Sequence, residues 1–257
     1  MAEFSIFLFG LIFGSFLNML IYRLSLGISL IDPKRSICTS CKYQLKWYEN
    51  IPLLSYIFLK ARCSNCKTTI SIIYPIVELT TALLTLFLYY KLSFSYQFIH
   101  LCLIFYILIV LSLIDFKYKA VPEYLLILVL FISFFYSSFS FYDSFVFVGA
   151  FVILELFITF YIQNIKAKIT KNKALETQKS LGEGDIPIVA IIGGILGLKL
   201  GLVAIFFAAF FAIIPALINS IRKKDIETPF IPYLTLGFFI AFVLQTYILE
   251  YLWRFSQ

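Results

Sequence analysis

The chain has 257 residues, of which 61% are hydrophobic, 19% aromatic and only 14% charged, and its mean hydropathy is +0.96. Such a composition excludes a soluble globular domain. The formal net charge of +7 calls for no nucleic acid, because a basic face against anionic lipid accounts for it.

Crossing a hydrocarbon core of about 30 Å takes roughly 20 helical residues. In chain order, apolar segments near 4–22, 74–90, 94–114, 121–139, 141–162, 186–198, 200–221 and 230–252 predict an all-α polytopic membrane protein with about eight transmembrane helices. The sixth is short, and only Lys199 and its glycine neighbours part it from the seventh, so residues 186–221 are also open to one long bent helix with a re-entrant piece. The first segment lacks the basic flank and small-residue cleavage site of a signal peptide and is expected to stay as a helix. The chain divides into a first helix (1–22), a hydrophilic loop domain (23–73) and a polytopic core (74–257), with no internal repeat in evidence.

Lys and Arg favour the cytoplasmic side. With the N-terminus outside, the inner loops 23–73, 115–120, 163–185 and 222–229 hold 8, 2, 5 and 3 basic residues, leaving only Lys91, Lys199 and Arg254 of the 21 outside. The hydrophilic loop is then cytoplasmic. It contains CTSC (Cys38, Cys41) and CSNC (Cys63, Cys66), two C-x2-C pairs separated by 21 residues. Four thiolates are the donor set of a tetrahedral structural zinc, and a reducing compartment favours metal over disulfides. A closed four-thiolate site has no open position for water, so its role is to fold the loop; thiol redox chemistry is the competing reading. Cys102 reads as ordinary packing.

Two acids meet the same leaflet. Asp115, in LSLIDFKYKAVPEYLL, closes the third segment, and Asp185, in LGEGDIPIVA, opens the sixth. Carboxylates at helix ends are routine in the headgroup layer. Asp185, however, follows a Gly-x-Gly turn, where missing side chains let another backbone come close. Glu155, deep in the fifth segment, requires a partner the sequence does not identify. The sole histidine, His100, lies near the outer end of the third segment, which leaves no serine or cysteine nucleophile with a histidine base.

Taken together, GSFLNMLIYRL (14–24), the cysteine pairs, WYENIPLLSYIFLKARC (47–63), ISIIYPIVELTTA (70–82), the Asp115 segment with VPEYL, the Gly184–Asp185 turn and TPFIPYL (228–234) form an ordered set. In that set the chain resembles the bacterial type IV prepilin peptidases, bifunctional leader peptidases and N-methyltransferases of pilus and type II secretion systems. The resemblance implies that Asp115 and Asp185 are the catalytic pair of a Gly-x-Gly-Asp membrane aspartic peptidase at the cytoplasmic face of the bacterial inner membrane. It implies as substrate a prepilin or pseudopilin precursor with a short basic leader, cut after a glycine. It also implies methylation of the new N-terminus from S-adenosylmethionine, with Gly14, Asn18, Arg23 and Glu78 as candidate contacts; each also has an ordinary structural reading. The chain departs from the family pattern at Glu123, where aspartate is common, at Pro187, where lysine is frequent, and at Ile73, where arginine precedes Tyr-Pro.

Two carboxylates held close carry one proton between them, so one can activate water while the other donates to the peptide carbonyl. The basic leader would meet a basic face, and Glu49, Glu123, Glu183 and Asp225 are the acids that could offset this. Other readings are a metal or ion transporter using boundary carboxylates and thiolates, a membrane thiol oxidoreductase, and a peptidase without methyltransferase activity. Oligomeric state is not legible.

Overall fold

The computed structural model describes all residues except 33–34, 171–181, 183, 222–227 and 255–257. The described residues are helical apart from loops and two isolated antiparallel bridges. Met1–Val110 and Leu111–Gln257 form two compact units, the boundary falling within one helix.

In the first unit, α1 (Ala2–Ser25) packs against α3 (Ile73–Leu92), with a short α2 (Leu54–Phe58) and a 3₁₀ turn (Trp47–Asn50) in the segment between them. The two long helices touch because α1 presents a glycine at the crossing. A Cβ on Gly14 would stand 2.6 Å from Glu78 Cα, so any side chain would force the helices apart. α4 (Tyr96–Tyr118) follows after Ser93 breaks the helix at φ 54. Its buried Tyr106 hydroxyl pairs with Thr85 Oγ1 at 2.6 Å, which satisfies both groups away from water.

In the second unit, α5 (Glu123–Phe134) starts behind Pro122, and α6 (Phe141–Phe160) is capped by Ser140, whose hydroxyl accepts from the Asp143 amide. α6 runs through a π-turn (Tyr161–Lys166) into α7 (Ala167–Thr170). α8 (Asp185–Ile221) packs against α5, α6 and α9 (Ile231–Val243), and α10 (Gln245–Arg254) closes the chain.

The expected eight spans are not reproduced. Among the described residues five helices are long and apolar enough to cross a bilayer, or six if the pair α9 and α10, bent by 71°, is one broken span. Two differences account for this. The segment 121–139 yields the 12-residue α5, about 18 Å long at 1.5 Å per residue and shorter than a hydrocarbon core of about 30 Å. The segments 186–198 and 200–221 are two helical stretches that meet at a kink, Gly197, with φ 73 and ψ 176, and together they make one candidate span. A glycine adopts that conformation without steric cost. The carbonyl of Gly194, facing the break, accepts a hydrogen bond from the Ser140 N–H at 2.7 Å, so the interruption leaves no orphan there.

Candidate active site

Both aspartates owe their positions to how helices begin and end. α4 finishes one turn past Asp115: the Lys119 N–H donates to the Asp115 carbonyl at 2.8 Å, Lys119 takes φ 53, and Pro122 prevents continuation. Asp185 is the first residue of α8, its N–H held by the Gly182 carbonyl at 3.0 Å. The carboxylates are 8% and 5% exposed, so packing rather than water surrounds them.

Close approach brings these two ends together. A Cβ on Gly184 would lie 2.9 Å from Val121 Cγ2 and 3.6 Å from Ile231 Cδ1, so the bare backbone of the glycine turn presses on the link after α4 and on the start of α9. There the Ile231 N–H donates to Asp115 Oδ2 at 3.2 Å. First-turn amides of a helix have no intrahelical partner and carry its positive dipole end, and α9 has no side-chain cap, so the carboxylate fills that role. One turn earlier in α4, Ser112 Oγ donates to Thr235 Oγ1 at 3.0 Å, a second pin between α4 and α9. Asp185 lies within electrostatic reach of Asp115 and of Glu155 on α6. Residues 115, 185 and 231 thus meet in one unit.

The cysteines form a separate, local construction. Residues 36–45 and 61–70 adopt the same hydrogen-bonded turn, offset by 25 positions. The Cys38 amide donates to Tyr43 O and the Cys63 amide to Thr68 O; Lys42 donates to Cys38 O and Lys67 to Cys63 O; Leu45 donates to Ser36 O and Ile70 to Ala61 O. Both lysines take a positive φ, 60 and 58. A repeat therefore exists where the sequence suggested none: only Cys-x2-Cys-Lys is shared at the residue level, and the backbone carries the rest. The two turns bring all four Sγ atoms within 4.8 Å of one another, with Cys38 and Cys66 at 3.8 Å. Zn–S bonds of about 2.3 Å imply a tetrahedron edge of roughly 3.8 Å, so the donor set fits zinc in type, number and spacing. The thiols are not equivalent: hydrogen bonds from the Thr68 hydroxyl and amide lower Cys66 to about 6, while burial pushes Cys38 up to about 11.

The four candidate methyl-donor contacts all lie in the first unit, and each already has an internal partner. Asn18 Nδ2 donates to Tyr74 O at 2.9 Å, and Glu78 Oε2 accepts from the Leu53 N–H at 2.9 Å. Arg23 reaches the carbonyls of Ser29, Leu30 and Arg35, and Gly14 admits Glu78. These bonds hold the loop segment on α1 and α3.

Comparison with known proteins bears on both units. The bacterial peptidase A24 N-terminal domain matches residues 8–92, and the type IV leader peptidase family matches residues 102–217. A prepilin leader peptidase/N-methyltransferase of Vibrio cholerae is 31% identical over 197 residues, covering 74% of this chain and 76% of that protein. The chain belongs to the type IV leader peptidase family. A family member of the same name from Bacillus subtilis is 30% identical over 93% of this chain and 92% of its own length. One from Myxococcus xanthus is 42% identical over 121 residues, 46% of this chain and 36% of that protein. No solved structure matches the chain significantly.

Of the acids that could meet a basic leader, Glu123 is exposed at the start of α5, whereas Glu49 is buried and accepts from the Lys46 N–H at 2.7 Å, which commits it to its own turn. Glu183 and Asp225 lie outside the described residues. His100 bonds the Tyr96 carbonyl at 3.1 Å, and along α4 it stands roughly 22 Å from Asp115. Sequence reasoning missed the Ile231 amide and the Ser112–Thr235 pair. The signal within reach was Pro232, which suits a helix start immediately after Phe230.

Proposed function

We propose that this family member removes the basic leader of prepilin-like precursors with Asp115 and Asp185 as its acid pair, at the cytoplasmic surface of the inner membrane with the N-terminus outside. The observation that carries the reading is the convergence of two buried carboxylates, one opening a helix behind a glycine turn and the other receiving the first amide of α9. That amide engages Asp115 Oδ2, and the bare backbone at Gly184 lets the turn carrying Asp185 pack onto Val121 and Ile231 beside it. With one proton shared by the pair, the ionised oxygen takes a proton from water as the water oxygen attacks the scissile carbonyl. The protonated acid donates to the carbonyl oxygen, and collapse of the tetrahedral species returns a proton to the leaving amine. Charge interactions at a poorly solvated boundary are less screened than in water, which strengthens each step.

The relatives' names also carry N-methyltransferase. S-adenosylmethionine would supply an electrophilic methyl group for the new amine, and in this chain Gly14, Asn18, Arg23 and Glu78 would shape the region that receives it. Zinc held by Cys38, Cys41, Cys63 and Cys66 would keep the loop folded.

Incubation of the purified enzyme with a pilin precursor and labelled methyl donor, scoring cleavage and methyl transfer separately, tests both halves. Asp115→Asn and Asp185→Asn should each lower cleavage by at least about 100-fold while leaving methyl transfer to an already cleaved pilin intact. Cleavage at the normal rate by either variant overturns the two-aspartate mechanism.

A further inference from the structure

The segment between α1 and α3 carries a second feature that neither the thiolates nor the aspartates use. α2 is pinned at both ends. Ahead of it, Leu53, with φ 58, donates its N–H to Glu78 on α3. Behind it, the Ala61 N–H donates to Tyr56 O at 2.8 Å, and the Tyr56 hydroxyl donates to Ile70 O at 3.4 Å, locking α2 to the second cysteine turn. The anchor on α3 sets its depth. α3 has 20 residues and is therefore about as long as a hydrocarbon core is thick. Glu78 lies in its second turn, so α2 is held beside that end of the candidate span, the level at which a bilayer's hydrocarbon would meet its headgroups.

At that level the exposed chemistry is wrong for water. Leu54, Ile57 and Phe58 are spaced i, i+3, i+4 and share one face of α2, with Ile57 66% and Phe58 78% exposed. The 3₁₀ turn that packs against α2 exposes Trp47 at 76%, an aromatic residue suited to a membrane interface. Directly after α2 the chain forms a concavity of about 410 Å³ lined by Leu59, Lys60, Arg62, Cys63, Ser64 and Lys67. Three of these are exposed cations and none is an acid; Lys67 Nζ also donates to Ser64 O at 2.9 Å.

We infer that α2 and the concavity bearing Lys60, Arg62 and Lys67 form a binding site for anionic phospholipid, with Ile57 and Phe58 entering the acyl region while the cations hold the headgroup phosphate. Charge complementarity selects the occupant: cations beside an anionic bilayer surface each favour it by roughly fivefold, and long basic side chains reach headgroups while their stems stay in apolar surroundings. The site would seat the metal-binding turns on the membrane, and the inference stands apart from the peptidase reading.

The chain has two tryptophans, Trp47 and Trp253, so Trp253→Phe makes Trp47 the sole reporter. In nanodiscs mixing phosphatidylglycerol and phosphatidylcholine, bromine is placed on the acyl chains of one lipid or the other at equal mole fraction. Brominated phosphatidylglycerol should quench Trp47 at least about twofold more strongly, and Lys60→Gln/Arg62→Gln/Lys67→Gln should remove the difference while keeping quenching by both lipids. Lys60→Gln alone should reduce the difference and serves if the triple variant does not fold. No quenching, equal quenching by the two lipids, or a full difference retained in the variants overturns the inference. So does loss of the difference on adding inorganic phosphate at constant ionic strength, which would assign the concavity to a free anion.

Discussion

The cysteine turns and the aspartate pair are built on opposite principles. Each cysteine turn closes on itself within ten residues, through main-chain bonds repeated at a fixed offset, and needs its neighbour only to complete the thiolate set. The aspartates have no such local frame. Asp115 is held by an amide 116 positions later, and Asp185 sits where it does because Gly184 lets three chain segments touch. A metal can therefore fold the first site, whereas only the packing of finished helices can assemble the second. Damage to the first should be rescued by ligand, and damage to the second should not.

Removing metal is the largest expected perturbation, because structural zinc contributes on the order of 10 kcal/mol to the folding of such turns. A strong chelator should release about one zinc per chain and convert Cys38, Cys41, Cys63 and Cys66 from protected to rapidly alkylated, with exposed Cys66 reacting before buried Cys63. Added zinc should restore protection; thiols that alkylate equally with and without metal would remove the zinc assignment. Next comes Gly184→Val, whose Cβ would meet Val121 at 2.9 Å. Displacing Asp185 by a fraction of an ångström to an ångström should lower cleavage by about 100-fold with zinc content unchanged. Normal cleavage would mean the close approach is not what aligns the acids. The smallest effect is expected for Thr235→Val, which removes the acceptor of the Ser112 hydroxyl and costs about 1 kcal/mol, read as a few-fold loss in kcat with little change in KM. A larger KM effect would move this pair from aligning Asp115 to contacting substrate.

Legibility followed the same division. The spacing of Cys38, Cys41, Cys63 and Cys66 was sufficient to name a four-thiol cluster that could hold a metal, because groups supplied by tight turns keep their geometry in the sequence interval. Asp115 and Asp185 stood out as acids in apolar surroundings, and Gly184 as a place for close approach, but nothing in the interval between them could say what they touch. The count of eight spans is not confirmed where helix ends are ambiguous. Lys199 among glycines resembled a loop, yet one residue, Gly197, absorbs the change of direction and the helix resumes. The apolar stretch 121–139 was long enough to cross, but the chain turns after Phe134.

Composition determined that the chain is a membrane protein, since so much apolar surface has no soluble solution, the length of its apolar runs determined that it is helical, and local spacing determined the thiolate cluster. Tertiary structure decided that the first amide of α9 serves Asp115, that Glu78 carries the start of α2, and that Glu155 comes within reach of Asp185. The physical reason is that backbone amides are identical in every residue. Which of them a buried carboxylate finds depends on how helices cross, and helix crossings are set by side chains, or by their absence, on several elements at once.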